Sequence, residues 1–259
     1  LAYLLDTGRV DWRLCVGFVF FLVPYNIAMY GINDVFDYES DIRNPRKGGI
    51  EGAVLPRSMH RPLLIASAVT VAPFAAVLYA AGTWVSAAWL TLALAAVVAY
   101  SAPPLRLKEV PLLDSATSST HFVAPALVGA SLADATLEPR FALAAFFCWG
   151  MASHALGAVQ DVEADRAGGL RSVATELGAR TTTRLAAALY LVAALACFAL
   201  PATGWVVGLL GLGYVANTAR YWNVTDATSA SVNRAWRVFL WLNYLTGAVV
   251  TISVLFLAL

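Results

Sequence analysis

Long apolar blocks dominate this chain. They cover 12–36, 62–81, 84–102, 115–132, 140–160, 184–201, 204–221 and 236–257. Most approach or exceed the ~20 residues with which a helix crosses a bilayer. Several are flanked by Trp12, Trp84, Trp89, Tyr100, Trp205, Tyr221, Trp222 and Trp236, rings that favour the headgroup level. Small residues crowd the interiors, as in RLAAALYLVAALACFAL from Arg184, and let helices approach closely in lipid. The pattern predicts eight transmembrane helices in one all-α polytopic bundle, a single domain over 1–259.

Composition supports lipid as the surrounding solvent. Of 259 residues, 13% are charged, against roughly 25% in a typical soluble domain. A net charge of +1 gives no reason to expect a nucleic-acid partner. Cys15, Cys148 and Cys197 sit in apolar runs and read as small hydrophobes.

The basic residues are distributed unevenly. Loops 37–61, 103–114, 161–183 and 220–235, with the first residues of the helices that follow, hold 14 of the 17; only Arg9, Arg13 and Arg140 lie on the other side. The positive-inside rule makes the first set cytoplasmic.

Acidic residues gather on that same side. In YGINDVFDYESDIRNPRKGG, Asn33, Asp34, Asp37 and Asp41 close an apolar run; on a helix Asp34, Asp37 and Asp41 share a face. In QDVEADRAGG, Asp161 and Asp165 do the same and Glu163 points away. Carboxylates this close repel and resist desolvation, so a positive partner is expected. A divalent cation with oxygen ligands answers both costs, and Mg²⁺ commonly takes one or two carboxylates while keeping waters and substrate phosphates. Two such helix ends could share a diphosphate, with Arg43, Arg46, Lys47, Arg106, Lys108, Arg166 and Arg171 nearby for its oxygens. Solvated helix ends also carry acids, and a cation or proton transporter could use membrane carboxylates, so these readings stand beside the enzymatic one.

NDVFDYESD (Asn33–Asp41), DVEAD (Asp161–Asp165) and YSAPPLRLK (Tyr100–Lys108) resemble, in order, the two Asp-rich motifs and the intervening YSxxxRxK-like segment of the UbiA-type membrane prenyltransferases. The resemblance implies a nine-helix bundle that binds a prenyl diphosphate with Mg²⁺. It implies metal binding at Asn33, Asp34, Asp37, Asp41, Asp161 and Asp165, with Asp34, Asp37, Asp161 and Asp165 catalytic. Arg43, Lys47, Arg106, Lys108 and Arg171 are implied diphosphate contacts, and Asn26, Tyr30 and Tyr100 further substrate-binding candidates. Eight spans against nine, and a start at Leu1, lead us to expect a chain lacking its first helix, with Leu1–Asp11 a loop. Gln160 stands where the family's second motif carries Asn.

The longer phrases YGINDVFDYESDIRNPRKGGIEGAVL and SAPPLRLKEVPLLDSATSSTHFVAP resemble the lycopene elongase branch, which makes C50 carotenoids in prokaryotic membranes. That implies dimethylallyl diphosphate as donor and lycopene as lipophilic acceptor. An aromatic quinone precursor is the alternative acceptor. His121 and His154, within spans, are candidates for the base that removes the final proton or for bonding between helices.

Overall fold

The computed structural model describes residues 1–42, 54–132, 140–200 and 202–258. Every regular element among them is helical: α1 (Ala2–Thr7), α2 (Trp12–Leu22), α3 (Pro24–Asp41), α4 (His60–Ala81), α5 (Trp84–Ser101), α6 (Leu113–Ser131), α7 (Arg140–Val159), α8 (Val162–Ala167), α9 (Val173–Phe198), α10 (Ala202–Ala219) and α11 (Asn233–Ala258), with short 3₁₀ turns at Arg57–Met59, Leu107–Glu109 and Asp226–Val232. The all-α membrane bundle expected from the sequence is present.

Six helical stretches among the described residues are long and apolar enough to cross a membrane: Trp12–Glu39, Arg57–Ala81, Trp84–Ser101, Phe141–Val159, Val173–Phe198 and Asp226–Ala258. The sequence pattern predicted eight. The predicted spans 115–132 and 204–221 do form helices, α6 and α10. However, α6 carries Asp114, His121 and a run of Ser and Thr, and α10 is interrupted by Gly204, Gly208, Gly211, Gly213 and Asn217.

Three boundaries differ from the sequence pattern for identifiable reasons. The block 12–36 is two helices, because Pro24 has no N–H to continue α2. Asn26 Nδ2 bridges the break by donating to the carbonyls of Phe21 and Leu22 at 2.8 and 3.0 Å. The segment expected as a loop over 161–183 instead contains α8 and the start of α9. Its helical turn from Val173 is joined to the apolar run across Gly178, whose φ of 77° is a conformation glycine adopts without Cβ strain. Finally, α1 lies within the stretch expected to be a loop.

The described chain divides into two compact units, one of Ala2–Leu107 and Ala124–Thr136, the other of Lys108–Val123 and Leu137–Leu259 with Leu1. The first unit is built on Phe20, Tyr25, Ala28, Leu78, Leu90, Ala93, Val97, Ala124 and Val128. Its α3 approaches α4 closely at Gly31, where a Cβ would lie 3.0 Å from Leu63 Cδ1. The second unit packs α9 between α7 and α10. Its core includes Ala152, Leu156, Val162, Val173, Ala186, Tyr190, Tyr214 and Phe239, with Tyr190 stacked on Tyr214 and Trp149 on Phe239.

Asp114, fully buried, fixes the start of α9. One carboxylate oxygen accepts from the Val173 N–H at 2.6 Å and the other from the Ser115 N–H at 2.6 Å. Helix N-termini leave such donors unsatisfied and favour negative charge. Ser172 completes the start as a capping box with Thr175. Asp114 therefore caps α9 from a distant part of the sequence.

In the second unit α6 and α7 touch at Gly150, where an added Cβ would lie 2.4 Å from Ser119 Oγ and 3.2 Å from Ser119 Cα. Ser119 cannot turn aside without losing its 2.6 Å bond to the Phe147 carbonyl. Gly150→Ala is therefore expected to destabilise the protein by about 1–3 kcal/mol through overpacking. Unfolding in detergent measures this, and an unchanged transition would contradict it.

Candidate active site

The acidic end of α3 stays helical through Asp41, past the predicted apolar boundary at 36, because its side chains find partners within the first unit. Asn33 donates its amide to Ser101 Oγ at 2.9 Å, and Ser101 is buried at the end of α5. With the nitrogen so held, Oδ1 is the acceptor that Asn33 could offer to a cation. Asp34 is half-buried. Asp37 and Asp41, only 9% and 7% exposed, are carboxylates whose burial demands charge compensation. Glu39 turns instead to Arg57, an exposed pair in which Arg57 also lies 5.4 Å over the Tyr38 ring.

Arg106 reaches this helix end. Its Nη1 donates to the Phe36 carbonyl at 3.2 Å, and its Nη2 stands 3.8 Å from Asp37 Oδ1. Its backbone has φ 40°, a left-handed conformation that costs a non-glycine residue on the order of 1 kcal/mol or more and persists where surroundings enforce it. A cation beside the last turn of α3 also complements the helix dipole.

The second acidic end follows α7. Asp161 occupies the turn between α7 and α8, and its carbonyl accepts from the Asp165 N–H at 2.8 Å, so the two acids stand one turn apart. Both are half-buried, whereas Glu163 is exposed, as its helical position predicted. The following loop turns at Gly169, φ 72°, with the Leu170 N–H returning to the Asp165 carbonyl at 2.8 Å.

The remaining expected site residues separate into distinct surroundings. Arg171 pairs with Glu176 at 2.9 Å on an exposed face. Lys108 is half-buried, and burial lowers its ammonium pKa to about 8 against an opposing pull from Glu109. Tyr100 is half-buried, and Tyr30 is 62% exposed. Asn26 serves the α2–α3 break described above. Arg43, Arg46 and Lys47 lie outside the described residues. His154 Nδ1 is 3.1 Å from Ser115 Oγ on α6, the interhelical bond that was one of its two expected roles.

Sequence reasoning did not single out Ser101, Asp226 or Asn233. Ser101 was visible as the second residue of YSAPPLRLK. Asp226 and Asn233 belong to no motif, and only folding brings them to the second acidic end.

Among the described residues, no three His, Cys, Asp or Glu side chains gather closely enough to enclose a metal ion by themselves. The candidate ligands are all oxygen donors arranged in small numbers at each helix end. That set suits a hard divalent cation that keeps part of its coordination for water and phosphate oxygens, as Mg²⁺ does.

Known proteins are similar to this chain in sequence and in fold. It is similar to the lycopene elongase/hydratase of Corynebacterium glutamicum, 59% identical over 254 residues, 97% of this chain and 88% of that protein. Its fold is similar to a UbiA homolog from Aeropyrum pernix K1 in its apo form, with TM-score 0.66 and 20% identity over 97% of this chain and 94% of the other. It is also similar to a UbiA homolog from Archaeoglobus fulgidus bound to DMAPP and Mg²⁺, with TM-score 0.61 and 19% identity over 95% and 94% of the two chains. The sequence profile of the UbiA prenyltransferase family matches residues 1–244, and the chain therefore belongs to that family.

Proposed function

We propose that this protein transfers a five-carbon prenyl group from dimethylallyl diphosphate to lycopene in an Mg²⁺-dependent reaction of C50 carotenoid biosynthesis. The observation that carries this reading is the 59% identity to a lycopene elongase/hydratase over 97% of the chain. The Archaeoglobus homolog bound to DMAPP and Mg²⁺ supports the donor and the cation. Membership of a prenyltransferase family favours the enzymatic reading of the acidic helix ends over the transporter one.

In this reading Asn33, Asp34, Asp37 and Asp41 hold Mg²⁺ at the end of α3, and Asp161 and Asp165 hold it at the α7–α8 turn. Bound Mg²⁺ would draw charge from the diphosphate as the allylic C–O bond breaks and would orient the leaving group. Arg106, Lys108 and Arg171, with Arg43 and Lys47, contribute cations for the diphosphate oxygens. For Arg171 this requires exchanging Glu176, an exposed partner whose pairing is worth little. The electron pair of the C–O bond leaves with diphosphate. A terminal C=C bond of the acceptor then attacks the allylic carbon, and the resulting tertiary cation loses a proton or takes up water.

The basic loops support placing both acidic ends at the cytoplasmic face of a prokaryotic membrane. We also propose that α6 and α10 cross the membrane, which gives eight crossings. Their small and polar residues suit close packing against neighbouring helices, while Phe122 on α6 and Trp205, Val206 and Leu209 on α10 are exposed apolar side chains that suit lipid.

Asp34→Ala and Asp161→Ala are expected to abolish Mg²⁺-dependent prenyl transfer while membrane insertion survives; turnover retained in both variants would refute the metal assignment. Supplied with lycopene and dimethylallyl diphosphate, the protein should yield C45 and C50 products by chromatography. Conversion of an aromatic acceptor with lycopene untouched would move it to another branch.

Lys108 generates a pH prediction. Its ammonium is charged below about pH 8 and neutral above it. Binding of an anionic diphosphate should therefore weaken as pH rises, so kcat/KM for the donor falls through an apparent pKa near 8 set by the free enzyme. Lys108→Arg, cationic throughout, should remove that fall, and an unchanged alkaline limb would exclude Lys108 as its origin.

A further inference from the structure

We infer that the segment 226–233 is a brace that sets the orientation of Asp161 and Asp165, with Gln160, Arg166, Asp226 and Asn233 as positioning residues. The inference rests on the reading of DVEAD as a metal site.

The two residues that flank DVEAD in sequence are both bonded to this one short segment. On the N-terminal side, Gln160 Oε1 accepts from Asn233 Nδ2 at 2.7 Å. On the C-terminal side, Arg166 Nη1 donates to Asp226 Oδ2 at 2.5 Å. Arg166 uses the rest of its fork on α9, donating Nε and Nη2 to the Thr175 carbonyl at 3.1 and 2.7 Å. Asp226 Oδ1 accepts from the Ala179 N–H at 2.7 Å, an amide left without a helical partner by the left-handed turn at Gly178. The segment is itself anchored, with Ser229 and Val232 buried and a capping box of Thr225 with Thr228 at its start.

Stability alone is a poor reason for this arrangement. The Arg166–Asp226 pair has side chains 43% and 41% exposed, and exposed ion pairs contribute little to folding. Geometry is what the bonds provide. Asp161 lies in a turn between two helices, held at its backbone by the Ala158 carbonyl and the Asp165 N–H. Fixing residue 160 and residue 166 against one rigid support restrains everything between them. Outer partners of this kind orient the groups that touch a metal. The arrangement also accounts for Gln160, which stands where the family motif has Asn. Its carbonyl oxygen is directed to Asn233, so it supports the site and is not one of its ligands.

The test is Mn²⁺ binding to the purified full chain in nanodiscs, followed by electron paramagnetic resonance with inorganic diphosphate present. Asp226→Asn keeps an acceptor for Ala179 but loses the charge facing Arg166, and Asn233→Ala removes the donor to Gln160. Each should weaken Mn²⁺ binding about tenfold or more with little change in unfolding temperature. In turnover, the loss should fall on the half-saturating Mg²⁺ concentration more than on kcat. Gln160→Ala should match Asn233→Ala, whereas Arg166→Lys should recover part of the affinity lost in Arg166→Ala. If Asp226→Asn does not fold, Asn233→Ala and Gln160→Ala decide by the same measurement. Unchanged Mn²⁺ affinity in the braced variants, with binding lost in Asp161→Ala, would overturn the brace alone. Unchanged affinity in Asp161→Ala as well would overturn the metal site on which it rests.

Discussion

Lipid offers no hydrogen bonds, so each interruption of a helix must be closed by the protein's own side chains. That constraint organises this fold. Where Pro24 ends α2, Asn26 takes up the carbonyls of Phe21 and Leu22. Where Gly178 bends α9, Asp226 accepts from the Ala179 N–H and Arg166 donates to the Thr175 carbonyl. Where α9 begins, Asp114 and Ser172 satisfy its first amides. Asn26 does this inside an apolar block, and Asp114, Arg166, Ser172 and Asp226 do it where α9 begins and bends outside one.

The same constraint explains why chemistry can reside at helix ends. A carboxylate in the middle of an apolar span would meet a steep desolvation cost. At the end of α3, and in the turn between α7 and α8, neighbouring basic residues and partial exposure reduce that cost. Asp37 and Asp41 are nonetheless buried, and Arg106 approaches Asp37 from a left-handed backbone. Asn33 is oriented by Ser101, and DVEAD is flanked on both sides by bonds to 226–233. At each end the acids come from a motif, while their orientation depends on residues remote in sequence.

Much of this was legible before folding. Block hydropathy located the long helices to within a few residues, since burial in lipid imposes a length and a composition that propensity alone does not. The motifs NDVFDYESD and DVEAD, with YSAPPLRLK between them, marked the acidic ends and the family. Less legible were the helix from Val173, hidden because VATEL is not apolar enough to stand out, and the break at Val23, where Pro24 was the available signal within a continuous apolar block. Six of the eight expected spans stand out by length and apolarity among the described residues, because α6 and α10 are helical yet more polar or glycine-rich than the other six.

Sequence by itself determined the solvent, the helical class and where the acidic motifs lie, because hydropathy and short-range spacing are local properties of the chain. Tertiary structure decided the partners: Ser101 for Asn33, Asp114 for the α9 terminus, Asn233 for Gln160 and Asp226 for Arg166. These depend on which helix faces which, and the two residues of such a bond can lie 73 positions apart, as Gln160 and Asn233 do. No local pattern encodes a hydrogen bond of that reach; it exists only once packing has brought both groups to the same place.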